Sequence, residues 1–260
     1  KSGLKLETNG VHNIIDIQTS GFRLYISDIR SSVHIIIYDV NNNILIPLVD
    51  DCVNRHITRS LILDHDTVIV GDKFGTLTVL RNPVSNLEIE SSQKVNTKVT
   101  GFNGNNWKDK IKFDTLMSFY VGDLITGIFC DKIGIGGDEV IVYSGINGTI
   151  GALEAMKSIK EVNFFRELEK LIRYVLQGLN ISEFEQHNSK TENNNLMIVD
   201  RDILKFRSYY VPKKSCIDGD IIDEFFKLDT TTKIEIAKLL ERNVHQVEEK
   251  IIEVRNRIGY

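Results

Sequence analysis

The sequence predicts a mainly β protein with a C-terminal α-helical domain: about three β-propeller blades of an incomplete ring, then a small helical bundle. Three observations predict it. Short apolar runs rich in Ile, Val and Tyr, bounded by Gly, Ser and Asn turns, fill residues 14–153. One turn motif recurs through them at constant spacing. Past residue 157 the apolar pattern changes to the period of a helix.

The first strands read IIDIQTSG, FRLYISD, VHIIIYD and ILIPLVD, a meander opening after Asn13. A second set comes next (ITRSLILD, TVIVGD, TLTVLR), and a third after Phe113 (LMSFYVGD, LITGIFCD, EVIVYSG, TIGAL). The recurring motif is a hairpin turn. Ser27-Asp28-Ile29-Arg30-Ser31-Ser32-Val33 aligns with Gly71-Asp72-Lys73-Phe74-Gly75-Thr76-Leu77 and with Ser144-Gly145-Ile146-Asn147-Gly148-Thr149-Ile150. From Asp28 to Asp72 is 44 residues; from Asp72 to Gly145 is 73, and setting aside the 29-residue polar stretch 82–110 leaves 44 again. That period, with about four strands per unit, is the spacing of propeller blades, small sheets whose faces need neighbours to cover them. Three blades do not close a ring, since closure takes at least about four. The remaining blades are expected outside this sequence, leaving apolar blade faces exposed. An irregular β-sandwich is the competing fold. The stretch Asn82–Lys110, which carries Trp107, reads as a loop insertion within a blade.

The helical part opens at Ser158-x-x-Glu161, a capping-box spacing, ahead of Phe165, Leu168, Ile172, Val175 and Leu179. Residues 180–195 read as a polar loop, and a short element, 201–208, leads into FRSYYVPKKSCIDGD. Pro212 bars a helix there, and Asp218-Gly219-Asp220 offers acceptors to the free amides of the next helix, which carries Ile221, Ile222, Phe225 and Phe226. Thr232-x-x-Glu235 is read as the cap of a further helix with Ile236, Leu239 and Leu240. Asn243-x-x-Gln246 caps the last, whose seam is Val244, Val247, Ile251, Val254 and Ile258. The predicted division is 1–156 for the blades and 157–260 for the helical domain.

Composition bounds the function classes. Among 260 residues the net charge is −4, which argues against a broad phosphate-binding face. No apolar run approaches the roughly 18 residues of a membrane span. Cys52, Cys130 and Cys216, odd in number and far apart, fit a reducing compartment. The chain opens on Lys1, as a piece of a longer protein does. Glycines 134, 136 and 137 sit in GIGGDE, but Glu139 stands where a phosphate loop needs glycine, and a strand comes next instead of a helix. The histidines (12, 34, 56, 65, 187 and 245) lack zinc-ligand spacing. Asp64-His65-Asp66 is the nearest approach to an acid–base cluster, and Asx-turn residues are its simpler reading; a propeller hydrolase using them is the enzyme alternative. No catalytic, cofactor-binding or metal-binding residue is predicted, and no cofactor is expected.

The candidate interaction site is the junction. Arg207 lies among Phe206, Tyr209 and Tyr210, and is expected to be buried against a carboxylate or backbone carbonyls. Tyr209 and Tyr210 point to opposite sides of an extended segment, one structural and the other a partner contact. Asp218 and Asp220 complete the candidate hinge or partner interface.

Leu61–Arg81 (LILDHDTVIVGDKFGTLTVLR) and Arg201–Asp220 (RDILKFRSYYVPKKSCIDGD) resemble the splicing-factor-3b branch of the large propeller-subunit family. That family also includes damaged-DNA-binding protein 1 and the large subunit of the cleavage and polyadenylation specificity factor. The resemblance runs from about Ile14 to Tyr260, and its most specific words are Gly71-Asp72-Lys73-Phe74-Gly75 and Phe206-Arg207-Ser208-Tyr209-Tyr210. Ile217-Asp218-Gly219-Asp220 is shared more widely, and the insert around Lys190–Asn195 departs from the pattern. The resemblance implies a nuclear, non-enzymatic scaffold of the splicing factor 3b complex in the U2 small nuclear ribonucleoprotein, acting in branch-site recognition. Its implied partners are the HEAT-repeat subunit and a small subunit of that complex, with RNA contact indirect or weak. The alternative is a ubiquitin-ligase adaptor or an RNA 3′-end factor on the same architecture.

Overall fold

The computed structural model describes residues 11–83, 111–133, 137–179, 181 and 215–257. The described residues divide into two compact units, 11–83, 111–129, 142–151 and 215 in one, and 130–133, 137–141, 152–179, 181 and 216–257 in the other.

In the first unit β1 (Ile14–Ser20), β2 (Arg23–Asp28), β3 (Ser32–Asp39) and β4 (Ile44–Asp50) form an antiparallel meander in sequence order. Central β3 carries the consecutive run Ile35-Ile36-Ile37 because both its faces are covered; Val33, Ile35 and Ile36 are fully buried. Strand β1 leaves Ile14, Ile15 and Ile17 between 37% and 52% exposed. In β4 the ladder slips a residue, Val49 facing Ile35 and Pro47 facing Ile36, a bulge that accommodates a proline with no N–H to give.

The second sheet is β5 (Ile57–Asp64), β6 (Thr67–Asp72), β7 (Thr76–Arg81) and β9 (Asp114–Tyr120), in that spatial order. Between β7 and β9 the chain touches the first sheet: β8 (Ile111–Lys112) lies parallel to β4, with Val49 opposite Ile111. Buried Phe113 then donates its amide to Asp50 O at 3.0 Å before the chain crosses to β7. LMSFYVGD, expected to open the third set, is thus the outer strand of the second sheet. The third sheet is β10 (Ile125–Lys132), β11 (Glu139–Gly145) and β12 (Ile150–Leu153). Among the described residues, four strands per blade holds for the second sheet, while the first has five and the third three. Apart from two-residue β8, which pairs with the first sheet between β7 and β9, consecutive strands stay within one sheet, as in propeller blades, whereas a Greek-key sandwich exchanges them between sheets.

The helical unit contains α1 (Ile159–Leu176), α2 (Gly219–Asp223) continued by a 3₁₀ turn (Glu224–Lys227), α3 (Thr230–Leu239) and α4 (Val244–Arg257). Phe165, Leu168 and Ile172 of α1 are buried with Ile221, Phe225, Ile236, Val247 and Ile251 in one core. Phe164, Leu171 and Tyr174 are buried too, so the buried face of α1 is wider than the predicted stripe. Leu179 does not extend it. The helix ends before Gly178, which takes the left-handed φ of 75°, and Leu179 is 39% exposed. At the start of α1, Ser158 Oγ accepts from Glu161 N at 3.2 Å, and the Glu161 carboxylate reaches back to Lys157 N at 3.1 Å. The cap of α3 is Asp229, not Thr232: Asp229 accepts from the Thr232 amide at 3.2 Å and from the Thr231 and Thr232 hydroxyls. Those hydroxyls hold its carboxyl down at about 2. At α4 Gln246 Oε1 accepts from Asn243 N at 3.1 Å, one half of the predicted box. Ile258, the insertion from residue 84 to 110, the loop 182–195 and the element 201–208 lie outside the described residues.

Candidate functional surface at the turn end of the sheets

The three repeated turns share one device, a buried carboxylate that gathers backbone amides. Asp28 Oδ2 accepts from His12 N and Asn13 N, both at 2.7 Å, and its Oδ1 from Arg30 N at 2.6 Å and Ser31 N at 3.0 Å. Asp72 Oδ1 alone takes Phe74 N and Thr76 N, each at 2.9 Å. The third turn has Gly145 at this position, and the carboxylate comes from Asp123 in the preceding loop. Asp123 Oδ2 accepts from Asn147 N at 3.0 Å and Oδ1 from Asn147 Nδ2 at 2.9 Å, and the Thr149 amide and hydroxyl and the Leu124 amide complete the set. A Cβ on Gly145 would fall onto the Asp123 carboxylate, so the glycine is what admits it.

A line of polar contacts strings the turns together. Ser32 Oγ donates to Asp51 Oδ2 at 2.5 Å, Asp51 pairs with Arg55, and Arg55 exerts its charge on Asp72. Gly75 O accepts from Val121 N at 2.7 Å, and Asp123, two residues on, enters the third turn. Above these anchors the turn tips expose apolar side chains: Ile29 by 37%, Phe74 by 60% and Ile146 by 65%. The Phe74 ring is held edge-on to His56 at 5.5 Å, with Lys73 Nζ 4.9 Å from its centroid. The tips are apolar and pre-set, which suits a protein partner more than a small polar substrate.

The anchors differ electrostatically. Burial opposes ionisation of Asp28, but four amides outweigh it and hold the carboxyl well below the usual range. Burial pushes Asp72 up, only partly offset by the Thr76, Phe74 and Gly75 amides. Asp28 therefore stabilises the fold above its unfolded value of about 3.9, and this is lost as pH falls through the folded value. Asp72 behaves oppositely: its ionisation costs the folded state as pH rises through the raised value. Asp28→Asn turns an NH₂ group toward two amides and is expected to cost about 2 kcal/mol at neutral pH. Asp72→Asn keeps its acceptor without the charge; it is expected to melt at or above the parent temperature at neutral pH and to lose that advantage near about pH 4. Thermal melts of both variants across this range check the pair.

Of the predicted site residues, Arg207, Tyr209 and Tyr210 lie outside the described residues. Asp218 is buried and caps α2, accepting from Asp220 N at 3.1 Å, while Asp220 is exposed. The Asp64-His65-Asp66 stretch is a turn in which Asp66 N donates to Asp64 Oδ1 at 2.8 Å. Buried Arg23 donates to Asp66 Oδ1 at 3.0 Å and to His65 O at 3.1 Å, and Tyr25 OH to His65 O at 2.6 Å. These partners give the turn a structural role. Among the described residues no group of three His, Cys, Asp or Glu side chains is placed to hold a metal, and no helix is long and apolar enough to cross a membrane. Sequence reasoning missed Asp123. The only signal for it was the absence of an aspartate at Gly145, where both other turns have one.

Comparison with known proteins gives the same family. The chain is 32% identical over 95% of its length to the pre-mRNA-splicing factor rse1 of Emericella nidulans, of which it covers 19%. It is 34% identical over 95% of its length to the pre-mRNA-splicing factor RSE1 of Debaryomyces hansenii, again covering 19% of it. With splicing factor 3B subunit 3 of Danio rerio it shares 30% identity over 98% of its length, covering 20% of that protein. The chain thus spans about a fifth of the curated relatives it matches. Residues 5–227 match the CPSF A subunit region, and with blade-like sheets, their repeated turns and a helical end in place, the chain belongs to the CPSF A subunit region family.

Proposed function

We propose that the chain is part of a non-enzymatic protein–protein interaction scaffold of the splicing factor 3b complex, acting in pre-mRNA splicing in the nucleus. The observation that carries this reading is the similarity, over nearly the whole chain, to relatives named as splicing factors. The turn surface supports it physically, since apolar tips on carboxylate-anchored turns suit docking without an ordering cost. The junction residues Arg207, Tyr209, Tyr210 and Asp220 are proposed as a second contact with a partner subunit, with buried Asp218 holding the hinge as the cap of α2. Affinity purification of the full-length protein tests the assignment: recovery of the HEAT-repeat and small subunits of the complex is expected. Recovery of a cullin or of 3′-end cleavage factors in their place would assign the chain to another branch of the family. Phe74→Ser in the full-length protein is expected to leave the melting temperature unchanged and to lower the yield of a partner subunit. Unchanged recovery of every partner would remove the turn tips from the interface.

A further inference from the structure

The helical unit holds a concave site that the scaffold reading does not use. A cleft of about 310 Å³ lies where the start of α1 meets α4, and five cations line it: Lys157, Lys160, Arg242, Lys250 and Arg257, against a single carboxylate, Glu161. Three of the cations are committed. Lys157 pairs with Asp138, Lys250 with Glu253, and Arg257 with Glu161 and Glu253. Lys160 and Arg242 have no carboxylate partner among the described residues. Arg242 is nevertheless positioned, its guanidinium carbon 4.8 Å from the centroid of the Phe164 ring. A guanidinium stacked on an aromatic face keeps its N–H edge free in a fixed plane, the arrangement that receives a carboxylate through two parallel hydrogen bonds.

We propose that this cleft takes carboxylate side chains of an acidic peptide segment on a partner protein, with Arg242 as the planar receptor and Lys160 as the second charge. The size of the recess favours a peptide over a nucleic-acid strand: about 310 Å³ suits one or two side chains, whereas a strand needs a charged groove that tracks its backbone.

Fluorescence anisotropy on the 260-residue chain, with a labelled glutamate-rich peptide at about 50 mM salt, tests the proposal. The glutamate peptide is expected to bind and its glutamine counterpart not to. Lys160→Gln and Arg242→Gln should each weaken binding about tenfold, the loss of one charge-assisted contact. Lys238→Gln, an exposed cation of α3 outside the cleft, should leave it unchanged. Lys160→Gln removes an exposed side chain with no ion pair among the described residues, so its result does not depend on the Phe164 stack. Failure of the glutamate peptide to bind, or equal binding by both cleft variants, overturns the proposal. So does tighter binding of a single-stranded RNA of equal charge that the same two variants abolish, which would make the cleft a nucleic-acid site.

Discussion

Arg257→Ala is expected to destabilise the helical unit by about 3 kcal/mol at neutral pH, the usual cost of stripping the cation from a largely buried ion pair. Arg257 donates from Nη1 to Glu161 Oε2 at 3.0 Å and from Nη2 to Glu161 Oε1 at 2.6 Å, a two-pronged pair across 96 residues of sequence. Its Nη2 also donates to Glu253 at 2.9 Å, and Glu154 Oε1 lies 3.8 Å from Nη1. Arg257, Glu154 and Glu161 have side chains only 13%, 9% and 6% exposed, so water replaces little of what is removed. The Arg257 hydrogen bonds, against the opposing effect of burial, hold the Glu161 carboxyl below its usual range; burial pushes Glu154 above it despite the same cation. Without Arg257 both carboxyls rise.

Those directions set the pH dependence. In the parent, Glu161 stabilises the fold above its unfolded value of about 4.3, and this is lost as pH falls through the folded value. In the variant, Glu154 and Glu161 take up protons first in the folded state, so acid relieves it. The gap in melting temperature between parent and variant should therefore be widest near neutral pH and narrow toward about pH 4. Arg257→Lys keeps the charge but not the two-pronged geometry and should recover part of the loss. Melts at the two pH values check this, and equal melting of Arg257→Ala and parent near neutral pH would mean the network contributes nothing.

The legible part of the sequence is local. Strand runs, the spacing of the turns and the caps at Ser158 and Asn243 are patterns of neighbouring residues, and they place β1 to β7 and the starts of α1 and α4. The illegible part is decided between distant residues. Two-residue β8 has no periodicity to read, and its parallel pairing with β4 joins positions 62 residues apart. The strand Asp114–Tyr120 reads as a member of the third set because the insertion before it hides which sheet the returning chain rejoins; its true neighbour is β7. At α3, two acceptors within four residues compete for the cap, and Asp229 takes the Thr232 amide and both hydroxyls where Thr232 offers a single hydroxyl. At α1, the Glu161 carboxylate returns to Lys157 N, one residue before the Ser158 N of a capping box, while also receiving Arg257 from the far end of α4. The candidate surface is half legible: repetition reveals the turns, but the carboxylate of the third turn comes from outside the motif.

That substitution carries the sharpest expectation. Gly145→Asp together with Asp123→Ala should restore much of the stability that either change removes alone. The Asp72 carboxylate serves the amides two and four residues on, Phe74 and Thr76; Asp123 serves the corresponding pair, Asn147 and Thr149. An aspartate at 145 has the sequence position of Asp72, and the atoms nearest its Cβ all belong to Asp123: the carboxylate, which Asp123→Ala removes, and the Cβ at 3.0 Å, which it leaves. Gly145→Asp alone drives two carboxylates into one buried site and is expected to cost about 3 kcal/mol. Asp123→Ala alone leaves the Asn147 and Thr149 donors without their acceptor and is expected to cost about 2 kcal/mol. In the double variant the new carboxylate meets the same amides with no rival, so the two costs should fall short of adding by about 2 kcal/mol. Denaturant unfolding of the four proteins measures that coupling. Additive losses would mean that the backbone of the third turn is set by Asp123 itself and that the carboxylate is not interchangeable between the two positions.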